Sequence, residues 1–481
     1  MMIKKILKYA GVLILVLIVV MVVNTLRLKS YQPDIDYNPT QINDDRVIER
    51  LQEAIRFKTV TYDNPFRYDS LQFESFHQYL RDNFPLLHQQ FELKKINDYA
   101  LLYKLEGSDA QLKPAILLAH QDVVPVDSAK WSCDPFGGIN DGTFVWGRGT
   151  LDDKGSLMAI LEAVEMQLAN GYAPKRTLYL AFGNDEEVGG IGAQAIARYL
   201  KQQGVDAAFV LDEGLVITSG MVPMIDRPVA LIGTSEKGYM SVKLSCQVEG
   251  GHSSTPQSNT AISVISDAIV ALTQNRPTAQ FCGPVNDFLD YLGPELAWPQ
   301  RLVFANRWLF EPVILSIYQK TKAGNALVRT TTAPTVLKAG MKDNVLPDYG
   351  EAVINYRILP GLTTEELLKY VATTVNNPDI KIEQLGVVRE PAPVSPIATE
   401  GFDLIAQSIK EQYSETLVMP TLMLASSDSR HYKEVSKNIY RFAPYQLVSE
   451  DLSRIHGNDE RISIESYKNM IGFYYRLLSK L

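Results

Sequence analysis

Between residues 100 and 211, short apolar runs alternate with stripes at helical spacing. Ala100–Leu105, Ala115–Ala119, Thr177–Phe182 and Ala207–Leu211 are near-continuous apolar runs of strand length. Between them, Leu157, Ile160, Leu161, Val164 and Leu168 form a helical stripe that should stop near Gly171, and Ile191 to Gln202 carries another. Strands buried on both faces and separated by helices predict an α/β domain with a mainly parallel sheet and helices on both faces. Helices are also expected over Asp45–Phe57 and Phe73–Phe84.

After Glu236 the period changes. Met240, Val242, Leu244, Cys246 and Val248 alternate with polar residues, which predicts a strand with one wet face. A helix with Ala261, Val264, Ile265, Ala268 and Leu272 on one side follows. Farther on, Ile354, Tyr356 and Ile358 share a face, with Asn355 and Arg357 on the other. An antiparallel sheet of this kind predicts a second α+β domain over 236–390, inserted into the first. The aromatic-rich stretch from Phe281 to Tyr318, with Phe288, Trp298, Phe304, Trp308 and Phe310, is expected to be domain core. From Pro393 the α/β pattern returns: Phe402–Glu411 and Glu465–Leu478 are helical, while Leu417–Ala425 and Asn438–Phe442 have strand character. The first, α/β domain is therefore expected in two parts, 46–235 and 391–481.

The N-terminus stands apart. Ile6 to Val23 is apolar except for Lys8, with Lys4 and Lys5 before it. It approaches the ~20 residues of a full membrane span. No small-x-small cleavage pattern follows. Residues 1–28 are therefore expected to be an uncleaved anchor, with 29–45 a linker. Positive charge before the run favours a body on the non-cytoplasmic side. At 481 residues more than one domain is expected. A net charge of −8 without a Lys/Arg block argues against a nucleic-acid partner. The three cysteines are scattered and suggest neither a metal cluster nor a disulfide framework.

Candidate chemistry collects at strand ends. His120 closes Ala115–Ala119, Glu186 and Glu187 follow Thr177–Phe182, and Asp212 and Glu213 follow Ala207–Leu211. Open α/β sheets bind ligands outside the carboxyl ends of their strands. Asp122, two residues past His120, projects to the same side of an extended chain. It is placed to hold one imidazole nitrogen while the other faces a metal. Asp152 sits in a Gly-punctuated turn, and His456 in a polar loop near the C-terminus.

AHQDVVP followed by GRGTLDDKG resembles the zinc metallopeptidase family of carboxypeptidases, aminoacylases and dipeptidases. The resemblance is closest to the carboxypeptidase S and N-fatty-acyl-amino-acid synthase/hydrolase branch. LDEG, GGHSSTP, KDNVLPD, NYRILPG, SSDSRHY and IYRFAPYQLVSEDLSRIHG extend it over most of the chain. The resemblance implies two zinc ions, with other divalent transition metals possible at the same donors. His120, Asp152, Glu187, Asp212 and His456 would be the ligands, with Asp152 bridging. Glu186 would be the general base toward a water between the metals, and Asp122 would orient His120. His252 of GGHSSTP would stabilise the oxyanion, while Arg357 and Asn344 would hold the substrate. The implied reaction is hydrolysis of an amide next to a free carboxylate, in a short peptide or an N-acyl amino acid. The resemblance also makes the two-part α/β domain the catalytic domain and the inserted α+β domain a lid and dimerisation domain, and it implies a homodimer through that insert. The alternative is a membrane-tethered binding or scaffold protein that retains the fold.

Overall fold

A computed structural model describes residues 2–62, 64 and 69–481. The chain divides into two compact units. One comprises residues 29–234, 291–297 and 395–481. It is built on an eight-stranded sheet in the order Glu92–Ile96, Ala100–Leu105, Leu178–Gly183, Ala115–His120, Phe209–Thr218, Ile439–Leu447, Val229–Glu236, Leu417–Met423. Strands Leu178–Gly183, Ala115–His120, Phe209–Thr218 and Ile439–Leu447 run parallel at its centre. They are the apolar runs of the sequence, and antiparallel strands flank them. Helix Ile191–Gln202 lays Ile196, Ala197 and Leu200 on Ile116, Leu118, Ala181 and Val210 of the sheet. Helix Lys154–Ala169 is buried along most of its length. Its Lys154 donates Nζ to the carbonyls of Ala54 and Phe57, at 3.0 and 2.5 Å.

One strand exceeds its sequence expectation. Apolar character stops at Leu211, yet the strand continues to Thr218, because Ile439–Leu447 and Val229–Glu236 supply partners on both sides. Asp212 and Glu213 thus lie within the strand, not beyond its end.

The second unit comprises residues 1–28, 235–290 and 298–394. Its four-stranded antiparallel sheet runs Thr331–Ala339, Tyr349–Ile358, Gly238–Gln247, Ile380–Arg389. Met240, Val242, Leu244, Ile354, Tyr356 and Ile358 form its inner face, covered by helices Ala261–Gln274 and Thr364–Val375. The alternation in the sequence showed the two middle strands only. The outer two are largely exposed, and Thr331–Ala339 carries Pro334 at a register shift, where an edge strand tolerates a missing N–H. The aromatic stretch departs from its expectation. Phe288 is buried, but Trp298 and Trp308 are exposed on short helices, so this region is core only in part. Helix Met2–Arg27 has 26 residues and is long and apolar enough to cross a bilayer, a test that a signal sequence also passes.

One buried ion pair ties the C-terminal loop to the turn that carries Asp152. Arg148 Nη1 meets Glu460 Oε2 at 2.5 Å, with both side chains almost wholly buried. Glu460 Oε1 accepts the amides of Gly149, Leu151 and Asp152 at 3.0, 2.7 and 3.2 Å. Removing one partner of such a pair strands the other charge. Arg148→Leu is therefore expected to lose about 3–5 kcal/mol of stability in chemical denaturation. A loss below about 1 kcal/mol would show that Glu460 is held adequately by the amides alone.

Candidate metal centre

Strand Ala115–His120 delivers His120, buried at the sheet's carboxyl end. Its Nε2 meets Asp152 Oδ1 at 2.8 Å. Its Nδ1 lies 3.0 Å from the Asp122 carbonyl and 3.3 Å from that residue's Oδ1. Asp152 comes from the turn before helix Lys154–Ala169, and its peptide bond to Asp153 is cis. Its other oxygen, Oδ2, lies 3.0 Å from His456 Nε2, which lies 3.0 Å from Glu187 Oε2 as well. His456 has a φ of 58°. A non-glycine residue there costs roughly 1–3 kcal/mol, so the loop must hold it. His120, Asp152, Glu187 and His456 are thus linked through imidazole–carboxylate contacts. Ligand atoms of His120, Asp152 and Glu187 all lie within 4.8 Å of one another.

Asp122 does more than the sequence suggested. Its buried carboxylate accepts Thr61 Oγ1 at 2.7 Å and the amides of Glu186 and Glu187 at 3.1 and 3.2 Å. It fixes the histidine and the two-glutamate turn together. Those adjacent glutamates have different partners. Glu187 meets His456, whereas Glu186 Oε1 accepts Arg430 Nη1 at 2.7 Å. Arg430 was not among the sequence candidates, although SSDSRHY carries it. Beside it, Asp428 is buried against two glycines. A Cβ on Gly183 would fall 2.2 Å from Asp428 Oδ2, and one on Gly190 (φ +68°) 2.1 Å from Oδ1.

The strand-end pair behaves unequally. Asp212 Oδ2 accepts the Ser429 amide at 2.7 Å, and Oδ1 the Glu213 amide at 2.9 Å. Burial and the neighbouring Asp152, Asp212 and Asp153 push the Glu213 carboxyl well up. Asp153 takes a structural part, accepting the His120 amide at 3.2 Å.

His252, Asn344 and Arg357 belong to the other unit and are described within it. Gly251–His252 pairs with Val345–Leu346, and the Asn344 carbonyl accepts the Ser253 amide at 3.3 Å, so His252 and Asn344 sit on one small ribbon. His252 is exposed; its Nδ1 accepts the Ser254 amide at 3.1 Å and lies 2.8 Å from the Ser254 hydroxyl. Arg357 lies on the exposed face of its strand, its guanidinium 4.8 Å from the Tyr239 ring centre.

The donor set suits a cation. Asp122, Asp152, Glu186, Glu187, Asp212, Glu213 and Asp428 outnumber His120, His456 and Arg430, and buried charge demands compensation. Glu187 Oε1 is buried with no hydrogen-bond partner among the described residues. Protons do part of the compensating. Burial would depress His120, but Asp122 and Asp152 raise it well above its ordinary value. Hydrogen bonds that its ring N–H donates to Asp152 and Glu187 push His456 up to about 10. Burial would raise Asp152, but hydrogen bonds from both imidazoles outweigh it and hold the carboxyl low. Burial pushes Glu187 up to about 7.

The chain is similar to known proteins over most of its length. Residues 116–480 match the model for peptidase family M20/M25/M40. The chain is 39% identical over 479 residues to probable carboxypeptidase S-like 2 of Dictyostelium discoideum, covering 97% of this chain and 92% of that one. It is 38% identical over 438 residues to the N-fatty-acyl-amino acid synthase/hydrolase PM20D1 of Xenopus tropicalis, covering 90% and 85%. Its fold is similar to the M20 family metallo-carboxypeptidase Sso-CP2 of Sulfolobus solfataricus, with a TM-score of 0.65 at 19% identity, covering 90% of this chain and 99% of that one.

Metal binding must displace the imidazole protons, because cations take neutral histidine. The His456 value of about 10 lies above its ordinary 6.5. In the metal-free chain its stabilisation is complete below pH 6.5 and lost as pH rises through about 10. Zinc titrated into metal-free chain at pH 7.5 is expected to release protons, seen as a binding enthalpy that changes with the buffer's ionisation enthalpy. An enthalpy independent of buffer would show that the imidazoles are already neutral.

Proposed function

Because the chain belongs to peptidase family M20/M25/M40, we propose that it hydrolyses an amide bond beside a free carboxylate with the help of two zinc ions. The observation that carries this reading is the linked set of His120, Asp152, Glu187 and His456, drawn from separate stretches of chain and left with a buried excess of carboxylates. His120, Asp152, Glu187 and His456 would hold the metals. A fifth donor comes from the strand pair Asp212–Glu213. The resemblance favours Asp212, while the bonds of both Asp212 oxygens to backbone amides favour Glu213. When bound, the zinc pair supplies Lewis acidity and makes water a ready nucleophile at neutral pH.

The remaining steps belong to the chain's own groups. Burial raises the Glu186 carboxyl above its ordinary range, and the Arg430 guanidinium opposes that shift. Glu186 accepts the proton of the attacking water and returns it to the leaving amine. With Nδ1 of His252 accepting from Ser254, its proton sits on Nε2, from which it donates to the developing oxyanion. Arg357 pairs with the substrate carboxylate, which a guanidinium can grip through two N–H groups, and Asn344 donates to the carbonyl.

The substrate is a short peptide or an N-acyl amino acid. Relatives bearing names of each kind match at similar identity. The N-terminal helix is retained as an anchor, and the lysines before it favour a body on the non-cytoplasmic side. The scaffold alternative finds no support in a chain that retains every expected donor residue.

Glu186→Gln is expected to reduce turnover by at least about a hundredfold with zinc content unchanged. Unchanged turnover would remove Glu186 from the reaction. Asp212→Asn and Glu213→Gln separate the strand pair: the ligand's variant loses zinc by elemental analysis, and the other keeps it. A panel of N-acyl-phenylalanine against N-blocked dipeptides, run with the metal-loaded chain, identifies the acyl group. Hydrolysis of neither, with zinc bound, would contradict the reading.

A further inference from the structure

The segment expected to be core offers a surface instead. Helix Arg307–Tyr318 buries Ile314, whereas Trp308, Leu309, Val313 and Ile317 are 60, 40, 54 and 58% exposed. Trp308, Pro312 and Ser316 form one row at a spacing of four residues, and Leu309, Val313 and Ile317 the adjacent row. All six are exposed or nearly so, and none is charged; Glu311 lies off this face. Trp298, opening the preceding helix Trp298–Ala305, is 54% exposed. An apolar face this wide on a surface helix marks an interaction site.

The same helices grip the end of the N-terminal helix. Asn306, buried at their junction, accepts Asn24 Nδ2 at 2.9 Å and donates its own Nδ2 to the Met21 carbonyl at 3.1 Å. Arg301 donates to the Leu28 carbonyl. Trp308 Nε1 donates to Asn306 Oδ1 at 3.3 Å. At a rise of about 1.5 Å per residue, Met21 lies only ~3 Å inside the end of the apolar run at Val23. The uncharged face therefore begins at the depth where the apolar run of the N-terminal helix ends.

We propose that Trp298, Trp308, Leu309, Val313 and Ile317 lie in the interfacial layer of the phospholipid bilayer that holds the N-terminal helix. Helix Arg307–Tyr318 is a second, peripheral membrane contact. The inference rests on the reading of Met2–Arg27 as a retained anchor. Tryptophan suits this layer, with its amphipathic ring at headgroup level. Lys320 and Lys322, exposed just past the helix, suit anionic headgroups. A second copy of the chain is the competing occupant. Lipid is favoured because the face continues from a helix whose apolar window is wholly unburied.

The test uses the full chain reconstituted in phosphatidylcholine vesicles with acyl chains brominated near the headgroup, which quench nearby tryptophan. Flotation establishes that the chain is membrane-bound. Tryptophan emission is expected to be quenched, and the quenchable component to vanish in W298F/W308F but persist in W131F/W146F. Circular dichroism confirms that both variants fold. Flotation without quenching, or quenching that survives in W298F/W308F, overturns the proposal. Failure to float overturns the anchor reading and this proposal with it, leaving the hydrolase reading untouched. Cross-linking of two copies through V313C without quenching assigns the face to a copy–copy interface and also overturns it.

Discussion

The carboxylate of Asp122 is the constraint on which the site depends. It is wholly buried, two residues past the end of a central strand, and it faces three elements at once. One oxygen lies 3.3 Å from His120 Nδ1, and the carboxylate also takes the Glu186 and Glu187 amides and the Thr61 hydroxyl. Loss of this group would free the histidine and unpin the glutamate turn together. A buried carboxylate without donors costs several kcal/mol, so the arrangement is close to all-or-none. Glu460 plays the matching part on the other side. It collects three amides of the Asp152 turn and the Arg148 guanidinium, and stands four residues past His456. Two buried acids thus bring together side chains supplied by distant parts of the chain.

Much of this was legible in the sequence, for physical reasons. Central parallel strands are apolar on both faces, so Ala115–His120 and Leu178–Gly183 could be read directly, and with them the positions of His120 and Glu186–Glu187. The run over Ala207–Leu211 indicated the next strand but not its length, since Asp212 and Glu213 are carried inside the sheet by partners that periodicity does not reveal. The outer strands Thr331–Ala339 and Ile380–Arg389 escaped because they are exposed and lack a one-sided pattern. Arg430 escaped because a surface arginine and one that restrains a glutamate have the same local signature. The aromatic stretch misled because large apolar residues usually mean core, and here two of its tryptophans face outward.

Electrostatics connects structure to chemistry. Without cations, the cluster is neutralised by protons on His120 and His456, and by protonation of acids that burial pushes up, such as Asp428 and Glu213. On the proposed reading, cations would replace those protons and leave the imidazoles neutral, the form in which histidine ligates. Burial raises Glu186 as well, and the Arg430 guanidinium opposes that shift. Two adjacent glutamates thereby sit in different surroundings, one against His456 and one against Arg430.

X-ray absorption at the zinc edge of the metal-loaded chain tests the central claim most directly, since it reads the donors themselves. The expected spectrum shows nitrogen and oxygen neighbours, outer-shell scattering from imidazole, and a zinc–zinc path at roughly 3.5–4 Å, the spacing of two-metal hydrolytic sites. A zinc ion with sulfur neighbours, or a lone zinc with neither imidazole nor a second metal nearby, would contradict the claim that His120, Asp152, Glu187 and His456 converge on a shared pair of ions.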